Sequence, residues 1–215
     1  MDAMTTLLSR AAIAAQLLFI GTFLVVGATE GHGYDAMRHD ISDLGALTAH
    51  HAGVFRLLVG LAGAITIAFG LLVVRPALRS TTAGVLVALS LPGFDSFTDT
   101  FFRLDCRAAD AGCSASVALT SWHAKLHLAC FAIAAITTVA AAFVIGNRTV
   151  GWVTIALLAT TAASSGSAVQ GLTQRIAATV VPLGVAVLAW RLTTGSTQGP
   201  SPHLVGADQP VLRRP

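Results

Sequence analysis

The sequence predicts an all-α integral membrane protein, a bundle of six transmembrane helices with two polar outer loops. Of its 215 residues, 54% are hydrophobic and only 11% are charged, whereas a soluble domain carries roughly 25% charged residues. Apolar stretches of about 20 residues recur along the chain, and a helix of that length crosses a hydrocarbon core of roughly 30 Å. Because these stretches are continuous and not alternating, they predict helices and not the strands of a membrane barrel.

The six spans form one predicted transmembrane domain over residues 1–192. Residues 193–215 are rich in Gly, Pro, Ser and Thr and are predicted to be a disordered tail. The first apolar stretch is longer than that of a typical signal peptide, so we interpret it as an uncleaved helix, with a cleaved signal as the alternative. The predicted spans are residues 11–28, 54–74, 83–102, 123–145, 150–170 and 172–192.

The distribution of charge predicts the orientation in the membrane. With an even number of spans, both termini lie on one side, together with seven arginines: Arg10, Arg75, Arg79, Arg148, Arg191, Arg213 and Arg214. The positive-inside rule makes this side cytoplasmic. The long loops, residues 29–53 and 103–122, then lie outside a cell membrane. The remaining basic residues are scattered singly, so the bilayer is the expected partner and a nucleic acid is not.

Two carboxylates lie within the third predicted span. Asp95 and Asp99 are four residues apart and therefore share one face of a helix. A carboxylate at membrane depth is costly and normally faces a cavity or a partner, although both residues are close enough to the interface for solvation to be the alternative. Pro92 removes a backbone hydrogen bond one turn earlier and is expected to kink the helix.

The fourth predicted span opens with two histidines at the same spacing, His123 and His127. The third and fourth helices are antiparallel neighbours, so these imidazoles are expected to meet Asp95 and Asp99. Such a set suits a metal of the zinc class or acid–base chemistry. An interfacial histidine that only hydrogen-bonds to water or to lipid headgroups is the simpler alternative.

Further candidates lie in the outer loops and at the start of the sixth span. Ser42 and Asp105 are candidate catalytic residues, although a side chain such as Ser42 also suits helix capping. Gln174 and Arg175 are candidates for binding a ligand or a lipid headgroup, with an internal salt bridge as the alternative. The nearest cations to the acidic cluster are Arg103, Lys125 and Arg175. We therefore expect one outward-opening cavity that is lined by Asp95, Asp99, Asp105, His123 and His127 and reached by Gln174 or Arg175.

The three cysteines are too few for a disulfide framework. Cys106 and Cys113 lie in one loop and are expected to pair if that loop faces an oxidising compartment. Cys130 lies inside an apolar span, where a buried small hydrophobe is the expected role.

Four strings together resemble a family of bacterial six-span membrane proteins, that of domain of unknown function 998. They are His39-Asp-Ile-Ser-Asp-Leu-Gly, Phe102-Arg-Leu-Asp-Cys, Trp122-His-Ala-Lys-Leu-His and Gly171-Leu-Thr-Gln-Arg, and the resemblance covers roughly residues 10–192. It implies a six-span fold but no reaction. The loop after Asp105 departs from the family pattern, since it has cysteines in place of a proline-rich run. The positions that match the family motifs are Ser42, Gly45, Asp105, His123, His127, Gln174 and Arg175.

These residues support two main hypotheses of function. The first is a metal-dependent hydrolase or lipid-modifying enzyme, loosely similar to the alkaline ceramidase and adiponectin-receptor superfamily, in which zinc bound by His123, His127 and a third ligand activates water. His39, His50 and His51 are the candidates for a third histidine. The second is a non-catalytic protein that binds, transports or senses a lipid or small-molecule ligand. An accessory membrane subunit is a further alternative.

Overall fold

The structure is a computed structural model that describes residues 3–31 and 33–195. This part of the chain is helical and contains no strand. The predicted tail therefore lies almost entirely outside the described residues. The main helices are α1 (Ala3–Thr29), α2 (Ala52–Ala77), α3 (Thr81–Ala88), α4 (Trp122–Gly146), α5 (Arg148–Ala163) and α6 (Gln170–Thr194).

Four of these helices, α1, α2, α4 and α6, are long and apolar enough to cross a membrane, within the part of the chain that the structure describes. Their surfaces carry exposed large apolar side chains, such as Leu57 and Ile136, which is 71% exposed. Lipid tails solvate such surfaces and water does not. The chain is therefore a multi-pass membrane protein, but four candidate spans are supported where the sequence predicts six.

The third predicted span is interrupted. After α3 the backbone becomes extended at Ser90, which has a ψ of 170°. Pro92 lies at the start of the turn that follows the break, where the N–H that proline lacks would have no partner within the helix. The chain then continues as a π-helical turn over Leu91–Asp95 and a single α-helical turn over Ser96–Thr98. The expected kink is thus a break, and α3 alone is too short to be a candidate span.

Side chains of α4 satisfy the backbone groups that the break releases. The Thr137 hydroxyl donates to the carbonyl of Leu89 at 2.6 Å. The backbone N–H of Leu91 donates to Thr138 Oγ1 at 2.8 Å. In lipid, irregular backbone is tolerated where neighbouring helices bind its polar groups in this way.

The fifth predicted span is shorter than expected. The Asn147 side chain caps α5 by accepting from the N–H of Val150 at 3.0 Å. The helix has 16 residues and is about 24 Å long. It ends before Gly166, which has a φ of 76°. The serines around this glycine favour turns over helix, so they form the connection to α6.

Close backbone contacts hold the helices together. Gln16 of α1 donates to Thr66 of α2 at 2.8 Å, and both side chains are buried. A Cβ on Gly63 of α2 would lie 2.4 Å from the backbone nitrogen of Phe97. Only glycine therefore allows α2 to pack this closely against the broken third segment.

The two long loops meet the start of α6 at one end of the bundle, which we call the loop face. Its parts are residues 30–31, 33–51 and 99–121 and the first turn of α6. The N–H of Leu47 donates to the carbonyl of Leu104, and that of Leu172 donates to the carbonyl of Met37. Most of the predicted site residues lie here.

Candidate functional site

A hydrogen-bonded pair joins the third segment to α4 at the loop face. His127 Nδ1 lies 2.8 Å from Asp99 Oδ1, and both side chains are mostly buried. His127 is in the second turn of α4, and Asp99 follows the single turn Ser96–Thr98. The antiparallel packing of these two segments therefore brings together a carboxylate and an imidazole that are 28 residues apart.

Asp95 lies one helical turn from this pair, on the same segment. The N–H of Asp99 donates to the carbonyl of Asp95 at 3.0 Å. The Asp95 Oδ1 atom is buried and has no hydrogen-bond partner. A buried acceptor without a partner among the described residues costs the fold about 1–3 kcal/mol.

The pair borders a small pocket. The pocket has a volume of about 10 Å³. That room fits roughly a single water. Besides Asp99 and His127, the lining residues are Ser42, Gly45, Phe55, Phe102 and Arg103.

Ser42 is brought to the pocket by a short 3₁₀ helix over Ile41–Gly45. Two glutamines at the start of α6 hold this helix. The N–H of Ile41 donates to Gln174 Oε1 at 2.5 Å, and Gln170 donates to the Asp40 carboxylate at 2.6 Å. Gln174 thus acts by positioning the segment that carries Ser42.

Arg175 does not reach the pocket. Its Nη1 donates to the carbonyls of Ala36 and His39, at 2.6 and 2.9 Å, and its Nη2 donates to the Tyr34 hydroxyl. The guanidinium therefore clamps the first loop to α6. A Cβ on Gly171 would lie 2.4 Å from the His39 carbonyl oxygen, so glycine is required for this loop to approach α6.

A buried ionic network joins the end of α1 to the second loop. Glu30 Oε1 accepts from Arg107 Nη1 at 2.6 Å and from the N–H of His50 at 2.7 Å. The same guanidinium donates to Asp110 through Nε and Nη2, at 3.0 and 2.6 Å. Burial acts to raise the pKa of Asp110, but the hydrogen bonds from Arg107 and Thr48 outweigh it and lower that pKa. Three chain segments are thereby tied together.

A disulfide closes a ring of the second loop that contains two residues of this network. Cys106 and Cys113 are bonded, and their Cα atoms are 6.1 Å apart. Arg107 and Asp110 both lie between them. The disulfide therefore restricts the loop that supplies the cation for Glu30.

Asp43 lies on the same 3₁₀ helix as Ser42 and is buried. Burial, together with the charge of Asp40, raises the pKa of Asp43 to about 7, against the opposing N–H of Ala108 and charge of Arg107. The folded protein thus keeps a proton on Asp43 at pH values where the unfolded chain has lost it. The stability from this group is full below about pH 4 and is lost as the pH rises through 7.

Asp105 and His123 have roles outside the pocket. The Asp105 carboxylate accepts from the backbone N–H of Ser121 at 2.7 Å. Hydrogen bonds from the side chain and the backbone of Ser121 lower the pKa of Asp105. His123 Nδ1 lies 3.2 Å from the carbonyl oxygen of Phe101, and its ring stacks on Trp122. Of the five residues expected to line one cavity, Asp99 and His127 line the pocket. Asp95 lies one helical turn from them.

The predicted zinc site lacks a set of ligands. Over residues 3–31 and 33–195, no three His, Cys, Asp or Glu side chains are placed to hold a metal ion. Of the candidate third histidines, His39 accepts from the N–H of Asp35 through Nδ1 at 2.8 Å. His50 and His51 contact each other, with ring centroids 4.4 Å apart. The donors present do not fit the metal-dependent version of the hydrolase.

Sequence reasoning missed several residues that shape this face. It gave no role to Glu30, Arg56 or Arg107, and it missed the buried carboxyl of Asp43. The only local signal was the spacing of Arg107 and Asp110 within the cysteine ring, which suits an ion pair. Glu30, the other partner of Arg107, is 77 residues away in the sequence, and residue spacing carries no information on such a contact.

Together, the apolar helices and the polar loop face define a helical multi-pass membrane protein. The family model described as protein of unknown function (DUF998) matches residues 12–191. The chain therefore belongs to the DUF998 family. No curated protein and no solved structure matches it.

Proposed function

We propose that this protein is a membrane-embedded hydrolase of lipid esters or amides, with the loop face outside the cell. One observation carries the proposal. The Asp99–His127 pair, with its N–O distance of 2.8 Å, borders a pocket that Ser42 also lines. A serine, a histidine and an aspartate in one pocket are the side chains of a nucleophilic triad, which is recognised by geometry and not by order along the chain.

The pair suits general-base chemistry because of the nitrogen that it uses. Asp99 holds Nδ1 of His127 and so leaves Nε2 for the pocket. In the proposed reaction, Ser42 Oγ attacks the carbonyl carbon of the substrate, and Nε2 takes the hydroxyl proton. His127 then gives that proton to the leaving oxygen or nitrogen, and an acyl-serine remains. Water, activated by the same imidazole, releases the acid and restores Ser42.

This function does not depend on a metal, in contrast to the hypothesis from sequence. Activation by a histidine that a carboxylate orients replaces activation by zinc. The proposal keeps the class of reaction, hydrolysis at the membrane surface, and assigns it to side chains that contact or line one pocket.

We propose six spans for the chain in the membrane, with both termini in the cytoplasm. Residues 81–98, which include α3 and the two turns after it, would reach about 27 Å if helical throughout. The 16 residues of α5 reach about 24 Å, and a bilayer thins locally around short helices. The arginines at the end opposite the loop face support this orientation.

A fluorophosphonate probe tests the hydrolase, because it phosphonylates only an activated serine. With purified protein in mild detergent, we expect labelling of Ser42, mapped by mass spectrometry. His127→Gln should slow labelling by at least about 100-fold, in line with the contribution of a general base. His123→Gln is the matched control, since that imidazole bonds the Phe101 carbonyl one turn away, and it should leave the rate unchanged. Labelling of Ser42 that is equally fast without His127 would refute the proposal.

Asp95 favours a second candidate function, proton-coupled transport. Its Oδ1 is buried without a partner, one turn from the Asp99–His127 pair, and intramembrane carboxyl–histidine chains mark proton pathways. In liposomes with an internal pH-sensitive dye, this function requires a proton flux that Asp95→Asn abolishes. Equal flux for the wild type and Asp95→Asn would exclude it.

A further inference from the structure

Arg103 is a wall of the pocket with an unused hydrogen-bond donor. Its Nε is buried and has no hydrogen-bond partner, although the residue as a whole is half-buried. A guanidinium carries five donors in a planar fork, and leaving a charged donor unsatisfied costs more than leaving a neutral one. The arrangement suits an acceptor that enters from the pocket.

A second arginine lies on the same side of the pocket. The aliphatic part of Arg56 packs beside Gly45, with its Cγ 3.5 Å from the position of a Cβ on that glycine. Its Nε donates to the carbonyl of Ala52 at 3.2 Å. The hydroxyl of Thr100, three residues before Arg103, donates to the backbone carbonyl of Arg56 at 3.4 Å. Two cations therefore face one region.

Neither guanidinium forms an ion pair in the part of the chain that the structure describes. Within the described residues, no carboxylate lies within 4.0 Å of the Arg56 or Arg103 guanidinium. Of the nearby acids, Asp99 bonds to His127 and Asp105 bonds to the backbone of Ser121, although the charge of Arg103 also acts on Asp105. In a membrane interface, two half-buried guanidinium groups without a counter-ion are a strong attraction for an anion.

We propose that Arg56 and Arg103 bind a phosphate group at the mouth of the pocket, beside Ser42 and His127. The pocket itself holds about one water, so the phosphate lies at its open mouth, where Arg103 forms part of the wall. Guanidinium forks match phosphate oxygens in geometry. This phosphate belongs to a phospholipid headgroup or to inorganic phosphate. The phosphate site itself does not depend on the proposed hydrolase. Only the statement that the bound molecule is a substrate rests on that proposed function.

The structure thus places phosphate recognition on arginines other than Arg175. The sequence favours Arg175 as the headgroup ligand, but its guanidinium donates to two loop carbonyls and to Tyr34. Arg56 and Arg103 have no such network of carbonyl acceptors. They are the arginines with donors to spare beside the pocket.

The test is a binding titration with full-length protein in uncharged detergent, at constant ionic strength kept with chloride. One arm adds inorganic phosphate, and the other adds dihexanoyl phosphatidylglycerol, with dihexanoylglycerol as its phosphate-free control. Tryptophan fluorescence reports binding, because Trp122 contacts the pocket residue Phe102 with ring centroids 6.2 Å apart. We expect saturable binding in at least one arm and none with dihexanoylglycerol.

Variants assign the binding to these side chains. Arg103→Gln should weaken binding at least about tenfold, and Arg56→Gln should weaken it similarly, as expected for loss of a charge-assisted hydrogen bond. Arg38→Gln is the matched control, since Arg38 is exposed and pairs with Asp35, and it should bind as the wild type does. Arg103→Lys keeps the positive charge but lacks the guanidinium fork. If this variant folds as the wild type does and still binds phosphate more weakly, the loss of binding comes from the missing fork and not from misfolding.

The outcomes separate the sources of phosphate and the two proposals. Binding in both arms assigns the site to phosphate itself, and binding in the lipid arm alone assigns it to a headgroup. Absence of saturable binding in both arms, or equal affinity in Arg103→Gln and the wild type, overturns the inference. If binding holds while Ser42 resists the fluorophosphonate probe, the hydrolase fails and the phosphate site stands.

Discussion

Replacing Arg107 by methionine removes the cation that faces Glu30 while keeping most of the side-chain volume. The Glu30 side chain is 0% exposed and that of Arg107 is 7% exposed. The remaining donors to Glu30 are the backbone N–H groups of His50 and His51. Breaking a buried ion pair from one side typically costs about 3–5 kcal/mol, because a charge is left buried and unpaired. We expect Arg107→Met to destabilise the protein by an amount in this range.

The reasoning predicts strong non-additivity between the two residues. Glu30→Gln removes the charge but keeps an oxygen that accepts from the N–H of His50. The double variant Glu30→Gln with Arg107→Met should therefore lose about 2–3 kcal/mol less than the sum of the two single variants. The free energy of unfolding, measured by denaturant titration in mixed micelles, gives this coupling energy directly.

An exposed ion pair in the same loops provides the control. Arg38 and Asp35 lie 3.7 Å apart, with side chains 65% and 49% exposed. Exposed pairs contribute about 0–1 kcal/mol, so the same double-mutant cycle there should show little coupling. If the coupling of Glu30 with Arg107 were no larger than that of this exposed pair, the buried network would not stabilise the loop face as we argue.

Three further outcomes test other parts of the structure. Asp43→Asn should raise stability at pH 8 by up to about 4 kcal/mol, the value of a pKa raised from 3.8 to about 7, and it should flatten the fall in melting temperature between pH 4 and 7. Gly63→Ala should destabilise the protein by at least about 2 kcal/mol through its clash with the third segment, whereas Gly21→Ala, which meets nothing within 4 Å, should be neutral in the same thermal melts. Reduction of Cys106–Cys113 should lower the melting temperature by the equivalent of about 2–3 kcal/mol, and a Cys113→Ser variant should no longer respond to reductant.

The sequence allows the apolar helices to be predicted because each apolar run is a local signal. The spans at residues 11–28, 54–74, 123–145 and 172–192 lie within α1, α2, α4 and α6. The structure extends these helices at their ends, where polar residues continue the helix beyond the apolar run. Hydropathy reports which residues suit lipid, and it does not report where helical hydrogen bonding stops.

The two predicted spans that differ from the structure do so for reasons that hydropathy does not report. The break after α3 depends on Thr137 and Thr138 of another helix, which satisfy its free backbone groups. The end of α5 depends on a turn around Gly166 with a positive φ. A hydropathy average treats serine, glycine and proline as nearly neutral and so passes over both.

The candidate site was predictable where it depends on helix periodicity. The spacing of Asp95 with Asp99 and of His123 with His127 placed two faces opposite each other, and the structure joins Asp99 to His127. In the structure, the His123 ring contacts the backbone carbonyl of Phe101 instead. A four-residue spacing states which residues share a face, but the rotation of that face toward a neighbour comes from packing of the whole bundle.

The Glu30–Arg107 contact also has a consequence for the order of assembly during synthesis. Glu30 leaves the ribosome 77 residues before its partner, and at about 5–20 residues per second this delay lasts about 4–15 s. During that interval the carboxylate lacks the guanidinium of Arg107, so water must solvate it at the end of α1. The loop face can therefore close only after the cysteine ring that carries Arg107 has been made.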